Sequence, residues 1–145
     1  MVELKELLTD KEFHFVKIEM SVLDVTKYMD LHNLGAVPVL GDDRALKGIF
    51  SEKDLLKRCI SKGLNLKETL VSDVMTKKVI VIESHDNPEY CLRILKQENI
   101  RHIPIIEENK LIGMLSLQDI LLYNTHPKEE KIEKHNTPIR YKECN

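Results

Sequence analysis

The chain repeats itself, and this constrains its fold more than any other property. Ala36-Val37-Pro38-Val39 returns as His102-Ile103-Pro104-Ile105. Gly48-Ile49-Phe50-Ser51-Glu52-Lys53-Asp54 returns as Gly113-Met114-Leu115-Ser116-Leu117-Gln118-Asp119. Upstream, Leu4-Lys5-Glu6-Leu7-Leu8-Thr9 matches Val71-Ser72-Asp73-Val74-Met75-Thr76, Asn33 matches Asn99, and Ile18-Glu19 matches Ile82-Glu83. The offset drifts between 64 and 67 residues, so short insertions fall where loops are expected. The copies take residues 4–60 and 71–123, with a link over 61–70 and a polar tail over 124–145. A unit of about 55 residues buries little surface and is marginal alone, so the two copies are expected to pack against each other.

Each copy reads strand, helix, strand, strand, helix. Phe15 to Ile18 and Val79 to Ile82 are rich in β-branched or aromatic residues and predict the first strands. Ser21 and Asn87 are good helix N-caps, and Pro88 suits a first helical position, where its missing N–H costs nothing. Val22, Val25, Tyr28 and Met29 recur at helical spacing in one copy, as do Cys91, Ile94 and Leu95 in the other. Asn33 and Asn99 fall near the helix ends and tolerate the left-handed conformation. The strands holding Pro38 and Pro104 are expected at a sheet edge or with a free side at the proline, which donates no ladder hydrogen bond. Gly41 to Arg44 and Glu107 to Lys110 read as polar hairpin turns. Return strands run from Leu46 to Phe50 and from Leu111 to Leu115, and the last helices start at Ser51 and Ser116. The fold class is α/β, two pseudo-symmetric β-α-β-β-α repeats forming one module.

Composition narrows the function classes. Lys plus Arg number 22 and Asp plus Glu 24, a net charge of -2, which disfavours nucleic-acid binding by bulk electrostatics. No apolar run approaches the roughly 18–20 residues that span a bilayer, and the N-terminus has no signal-peptide pattern. Cys59, Cys91 and Cys144 form an odd count without metal-ligand spacing and fit a reducing, cytoplasmic setting.

Asp73-x-Met75-Thr76 before a strand, proline in the second strand and Gly113-x-Leu115-Ser116-x-x-Asp119 at the last turn resemble a tandem CBS-domain pair, or Bateman module. The resemblance runs from residue 4 to about 123. The first copy departs most, with Leu7-Leu8-Thr9 where the second has Val74-Met75-Thr76. The resemblance implies a disc-shaped homodimer, a regulated protein partner, and clefts between repeats that bind adenosine-containing ligands. These are AMP, ADP, ATP or, as an alternative, S-adenosylmethionine. No cofactor is required and no metal is implied.

Ser51-x-x-Asp54 and Ser116-x-x-Asp119 are the sharpest candidates. The spacing alone favours a capping box. It also describes a phosphate site, since a helix start offers free N–H groups and a positive dipole end. The resemblance assigns the ribose hydroxyls to Asp54 and Asp119 and phosphate contact to the serines. A phosphate beside Asp119 needs a cation, and Arg101 and His102 supply two before Pro104. Gly35-Ala36 supply none in the first copy, so the Asp119 site is the first choice for a nucleotide, with Lys53 a weaker cation beside Asp54. By resemblance, Met75, Thr76, Val79, Ile80 and Ile103 line the adenine, although core packing explains Val79 and Ile103 better than direct contact does.

No His-Glu-x-x-His motif, phosphate loop or nucleophile elbow occurs, and no paired histidine spacing suggests zinc. Catalytic residues are therefore expected to be none. Two alternatives stand beside a nucleotide sensor. One is a structural module in which the Ser-x-x-Asp pairs are only caps. The other is a hydrolase using Asp54, Asp119 and histidines. The tail reads as frayed, with a short helix over 128–134 and a partner contact through Ile132, Ile139 and Tyr141 as further options.

Overall fold

A computed structural model describes residues 2–124 and 139–144. After a short 3-10 helix (Leu4–Leu8), the first copy forms β1 (Val16–Lys17), α1 (Val22–Leu31), β2 (Ala36–Leu40) and β3 (Leu46–Ser51). Helix α2 (Glu52–Asp54) then runs into a π-helical turn over Leu55–Ile60. The second copy follows with α3 (Val71–Val74), β4 (Lys78–Glu83), α4 (Pro88–Gln97), β5 (His102–Glu107), β6 (Lys110–Ser116) and α5 (Leu117–Asn124). A last strand, β7 (Arg140–Glu143), lies outside the repeat.

The local chemistry sets these elements. Ser21 accepts the Asp24 N–H and starts α1, while Asn87 accepts the Tyr90 N–H and starts α4 with Pro88 behind it. Asn33 and Asn99 take positive φ of 55° and 53° beyond the helix ends. Glu108 and Asn109, also at positive φ, form the two-residue turn between β5 and β6. Arg44 plays the same part after Gly41, whose N–H bonds back to the Ala45 carbonyl.

β1, β2 and β3 form one sheet in that order, and the second runs β6-β5-β4-β7. The proline strands β2 and β5 are therefore central, contrary to the edge option read from sequence. The free side is real, however. β1 pairs only with Val39 and Leu40, and β4 pairs with Ile105 and Ile106, so both ladders start one residue after the proline. On its other flank Pro38 faces Ile49, which directs its N–H and carbonyl to Thr76 at 2.9 Å each and asks nothing of the proline. The tail also differs from expectation. Arg140–Glu143 is a strand rather than frayed, Ile139 packs on a core, and Arg140 lies 3.0 Å from Glu83. The expected 128–134 helix and the Ile132 contact lie outside the described residues.

The chain forms two compact units, and their borders do not follow the repeat. One takes the residues up to Phe13 with Ile80–Tyr141, and the other takes His14–Val79 with Lys142–Asn145. Each unit thus holds the leading segment of the opposite copy. In one core Val71, Val74 and Met75 join Val16, Val22, Val25, Val37, Val39 and Phe50. In the other, fully buried Leu4 joins Ile94, Leu95, Ile103, Ile105, Leu115 and Ile120. Glycine makes both arrangements feasible. A Cβ on Gly48 would stand 2.7 Å from the Met75 sulfur and from the Thr76 carbonyl oxygen, and one on Gly113 would stand 2.9 Å from the Leu8 side chain.

Candidate ligand-binding sites

Each unit carries one Ser-x-x-Asp start at the end of a return strand, and both are closed capping boxes. In the unit of His14–Val79, the Asp54 N–H donates to Ser51 Oγ at 3.2 Å. The Ser51 N–H and hydroxyl donate to Asp54 Oδ2 at 3.0 and 3.1 Å. In the other unit, the Asp119 N–H donates to Ser116 Oγ at 3.1 Å, and the Ser116 N–H donates to Asp119 Oδ2 at 2.8 Å. The next N–H is used identically. Glu52 donates to the Gly35 carbonyl at 3.0 Å, and Leu117 donates to the Arg101 carbonyl at 2.7 Å. Each helix start is thereby tied to the residue just ahead of the proline strand.

The surroundings of the two carboxylates differ. Asp54 is buried, and Thr76 Oγ1 donates to its Oδ1 at 3.2 Å. Arg58, one turn further on, brings Nε to 3.6 Å from the same oxygen and donates to the Met75 carbonyl at 3.0 Å. Asp54 is thus enclosed by its own serine, by Thr76 from the other copy and by Arg58. Met75 and Val79 are buried, Met75 within the core. Lys53 is exposed.

Asp119 is more open, its side chain 27% exposed against 11% for Asp54. Lys11, also exposed in part, pairs directly with Asp119 Oδ2. Burial raises the Asp119 pKa, but the Lys11 and Ser116 hydrogen bonds outweigh it and hold the carboxyl below its ordinary value. His102 is the cross-strand partner of Ser116, and exposed Arg101 stands beside it. Lys11 thus contacts Asp119 directly, His102 faces Ser116 in the strand register, and Arg101 is tied to the helix start through its backbone carbonyl. Ile103 is fully buried in the core, and half-buried Ile80 packs against it.

The structure thus joins Thr76 to Asp54, with Arg58 bridging Asp54 and the Met75 carbonyl, and Lys11 to Asp119. Sequence reading missed Lys11 and Arg58. Thr9-Asp10-Lys11 aligns with Thr76-Lys77-Lys78 in the repeat, so a signal for Lys11 existed. What the alignment does not carry is the unit in which each leading segment packs. Arg58 has no counterpart motif. The thiols offer no nucleophile, since all three are buried. Burial first, and Asp86 second, push Cys91 up to about 12.

A tandem of this make-up defines a class of paired α/β repeat modules. The family model for the CBS domain matches residues 4–61 and 71–125, and the chain belongs to the CBS-domain family. CBSX3, a mitochondrial CBS domain-containing protein of Arabidopsis thaliana, is 34% identical over 83% of this chain and 60% of its own length. The chain spans between 52% and 66% of the length of the first curated relatives it matches. Among solved structures, the CBS-domain containing protein ATU1752 of Agrobacterium tumefaciens superposes with a TM-score of 0.77 at 28% identity, covering 84% of this chain and 98% of that one. CBSX2 in complex with AMP superposes with a TM-score of 0.73 at 26% identity, covering 86% and 97%. Among the described residues no helix is long and apolar enough to cross a membrane.

Proposed function

We propose that this chain is a non-catalytic sensor that binds an adenine nucleotide, AMP, ADP or ATP, chiefly at the Asp119 site. The observation that carries the reading is the Lys11 contact with Asp119 in the unit where His102 pairs with Ser116 across the strands and Arg101 precedes it. A carboxylate accepts from ribose hydroxyls, while basic side chains suit phosphate. The AMP complex of CBSX2 supports the ligand class. The nucleotide would report to a regulated partner through a homodimer, by favouring one arrangement over another. The buried free thiols support a cytoplasmic setting.

A purely structural reading is favoured for Asp54. Both of its oxygens are engaged, by Ser51, Thr76 and Arg58. Calorimetric titration with AMP, ADP, ATP and S-adenosylmethionine tests both assignments. Asp119→Ala is expected to weaken nucleotide binding about tenfold or more, the scale of one lost charge-assisted contact, and Asp54→Ala to lower stability more than affinity. No heat at millimolar nucleotide, or a larger affinity loss in Asp54→Ala, overturns the reading.

A further inference from the structure

The carboxylate of Asp119 is already in use in the free protein. Its Oδ2 accepts the Ser116 N–H at 2.8 Å and also holds the Lys11 ammonium. A carboxylate oxygen has about two lone-pair sites, so these two donors fill Oδ2. A ribose brings two adjacent hydroxyls, and gripping both takes both carboxylate oxygens. The Ser116 N–H belongs to the helix cap, so Lys11 is the donor that must leave. Its build suits that move. The Lys11 N–H donates to the Leu8 carbonyl at 3.1 Å, and Leu8 lies over Gly113 of β6, in the same unit as Asp119. The backbone is thus anchored, while the side chain is 37% exposed, and an ion pair this open to water is weak. The charge rides on a flexible four-carbon stem that swings without moving the backbone.

We propose that Lys11 is a selectivity gate. It occupies the ribose carboxylate in the free protein and passes to the ligand's 5′-phosphate on binding, so the site admits 5′-phosphorylated adenosine and resists adenosine ligands without a phosphate. The inference rests on the nucleotide reading of the Asp119 site. The exchange keeps the charges balanced throughout. Before binding, the ammonium offsets Asp119. With AMP in place, the ribose hydroxyls replace it there, and the ammonium meets the phosphate, which would otherwise face a carboxylate of like charge. Adenosine breaks the same ion pair and returns no anion, so Lys11 loses a charged partner and gains none. S-adenosylmethionine fares worse, because its sulfonium takes the 5′ position and sets a cation against a cation. Selectivity thus comes from a repulsive element as much as from an attractive one.

The test titrates AMP and adenosine by calorimetry into the full chain, as the parent, as Lys11→Met and as Lys11→Arg. The methionine change keeps the apolar stem and removes the charge. The parent should bind AMP about tenfold or more tighter than adenosine. In Lys11→Met, AMP should weaken about tenfold, the scale of one lost charge-assisted contact. Adenosine should tighten about threefold, since a weak ion pair no longer has to be broken. Lys11→Arg should keep the parent's preference. Opposite shifts cannot come from a general loosening of the site, which would weaken both ligands. Parallel weakening of AMP and adenosine in Lys11→Met, or an unchanged AMP affinity, would overturn the gate and leave the nucleotide reading standing. No binding of either ligand to the parent or to Lys11→Met would remove the nucleotide reading and the gate with it.

Discussion

At the residue scale, one pattern serves two ends. A serine and an aspartate close a helix start by trading hydrogen bonds, and the same atoms can face a ligand. What separates Asp54 from Asp119 is the company each keeps. Asp54 has a threonine and an arginine drawn tightly around it. Asp119 is more open, with a partly exposed lysine as its charged partner. The Lys11 contact also makes a pH statement. The folded-state pKa of Asp119 is lowered from its ordinary value of 3.8. The pair's contribution to stability is therefore full above that value and is lost as pH falls through the lowered one. Urea midpoints of the parent and of Asp119→Asn should differ most near neutral pH and converge in acid. A gap that persists or widens below pH 3.8 would contradict this.

At the scale of elements, the sequence was legible wherever chemistry acts over a few residues. Ser21, Asn87, Pro88, Asn33 and Asn99 each do what their side chains dictate, because a cap or a left-handed residue is decided by its immediate neighbours. Strand order was less legible. Pro38 and Pro104 announce a missing donor, but a central strand absorbs it when the flanking ladder starts one residue later. β7 is polar, and only its placement beside β4 makes it a strand. The glycines of the return strands belong to this scale as well. Gly48 faces a backbone carbonyl that cannot rotate away, whereas Gly113 faces only the flexible end of Leu8. Gly48→Ala is expected to lower stability by about 1–3 kcal/mol, and Gly113→Ala by less, in denaturant unfolding. Equal or reversed losses would mean that the Met75-Thr76 segment yields more easily than its backbone contact implies.

At the scale of the whole molecule, repeat and folding unit are different objects. The repeat divides the sequence near residues 61 and 71, but contacts divide the chain at His14 and Ile80. A sequence alignment compares copies and is blind to which core a leading segment joins. The same blindness hid the pairing of Lys11 with Asp119 and of Thr76 with Asp54, so the motif residues were legible and their grouping was not. The distinction can be tested with fragments. Residues 14–79 contain every buried member of the first core, including Val71, Val74 and Met75. Residues 4–61 lack those three and expose Leu4, which is fully buried in the other core. Losing three apolar side chains from a core this small removes several kcal/mol, comparable with the whole stability of such a unit. Fragment 14–79 should therefore give stronger helical circular dichroism and a more cooperative melt than fragment 4–61, although 4–61 is a complete sequence copy. If 4–61 melts as cooperatively as 14–79, the leading segments contribute little to the cores they join, and the sequence copy is the folding unit after all.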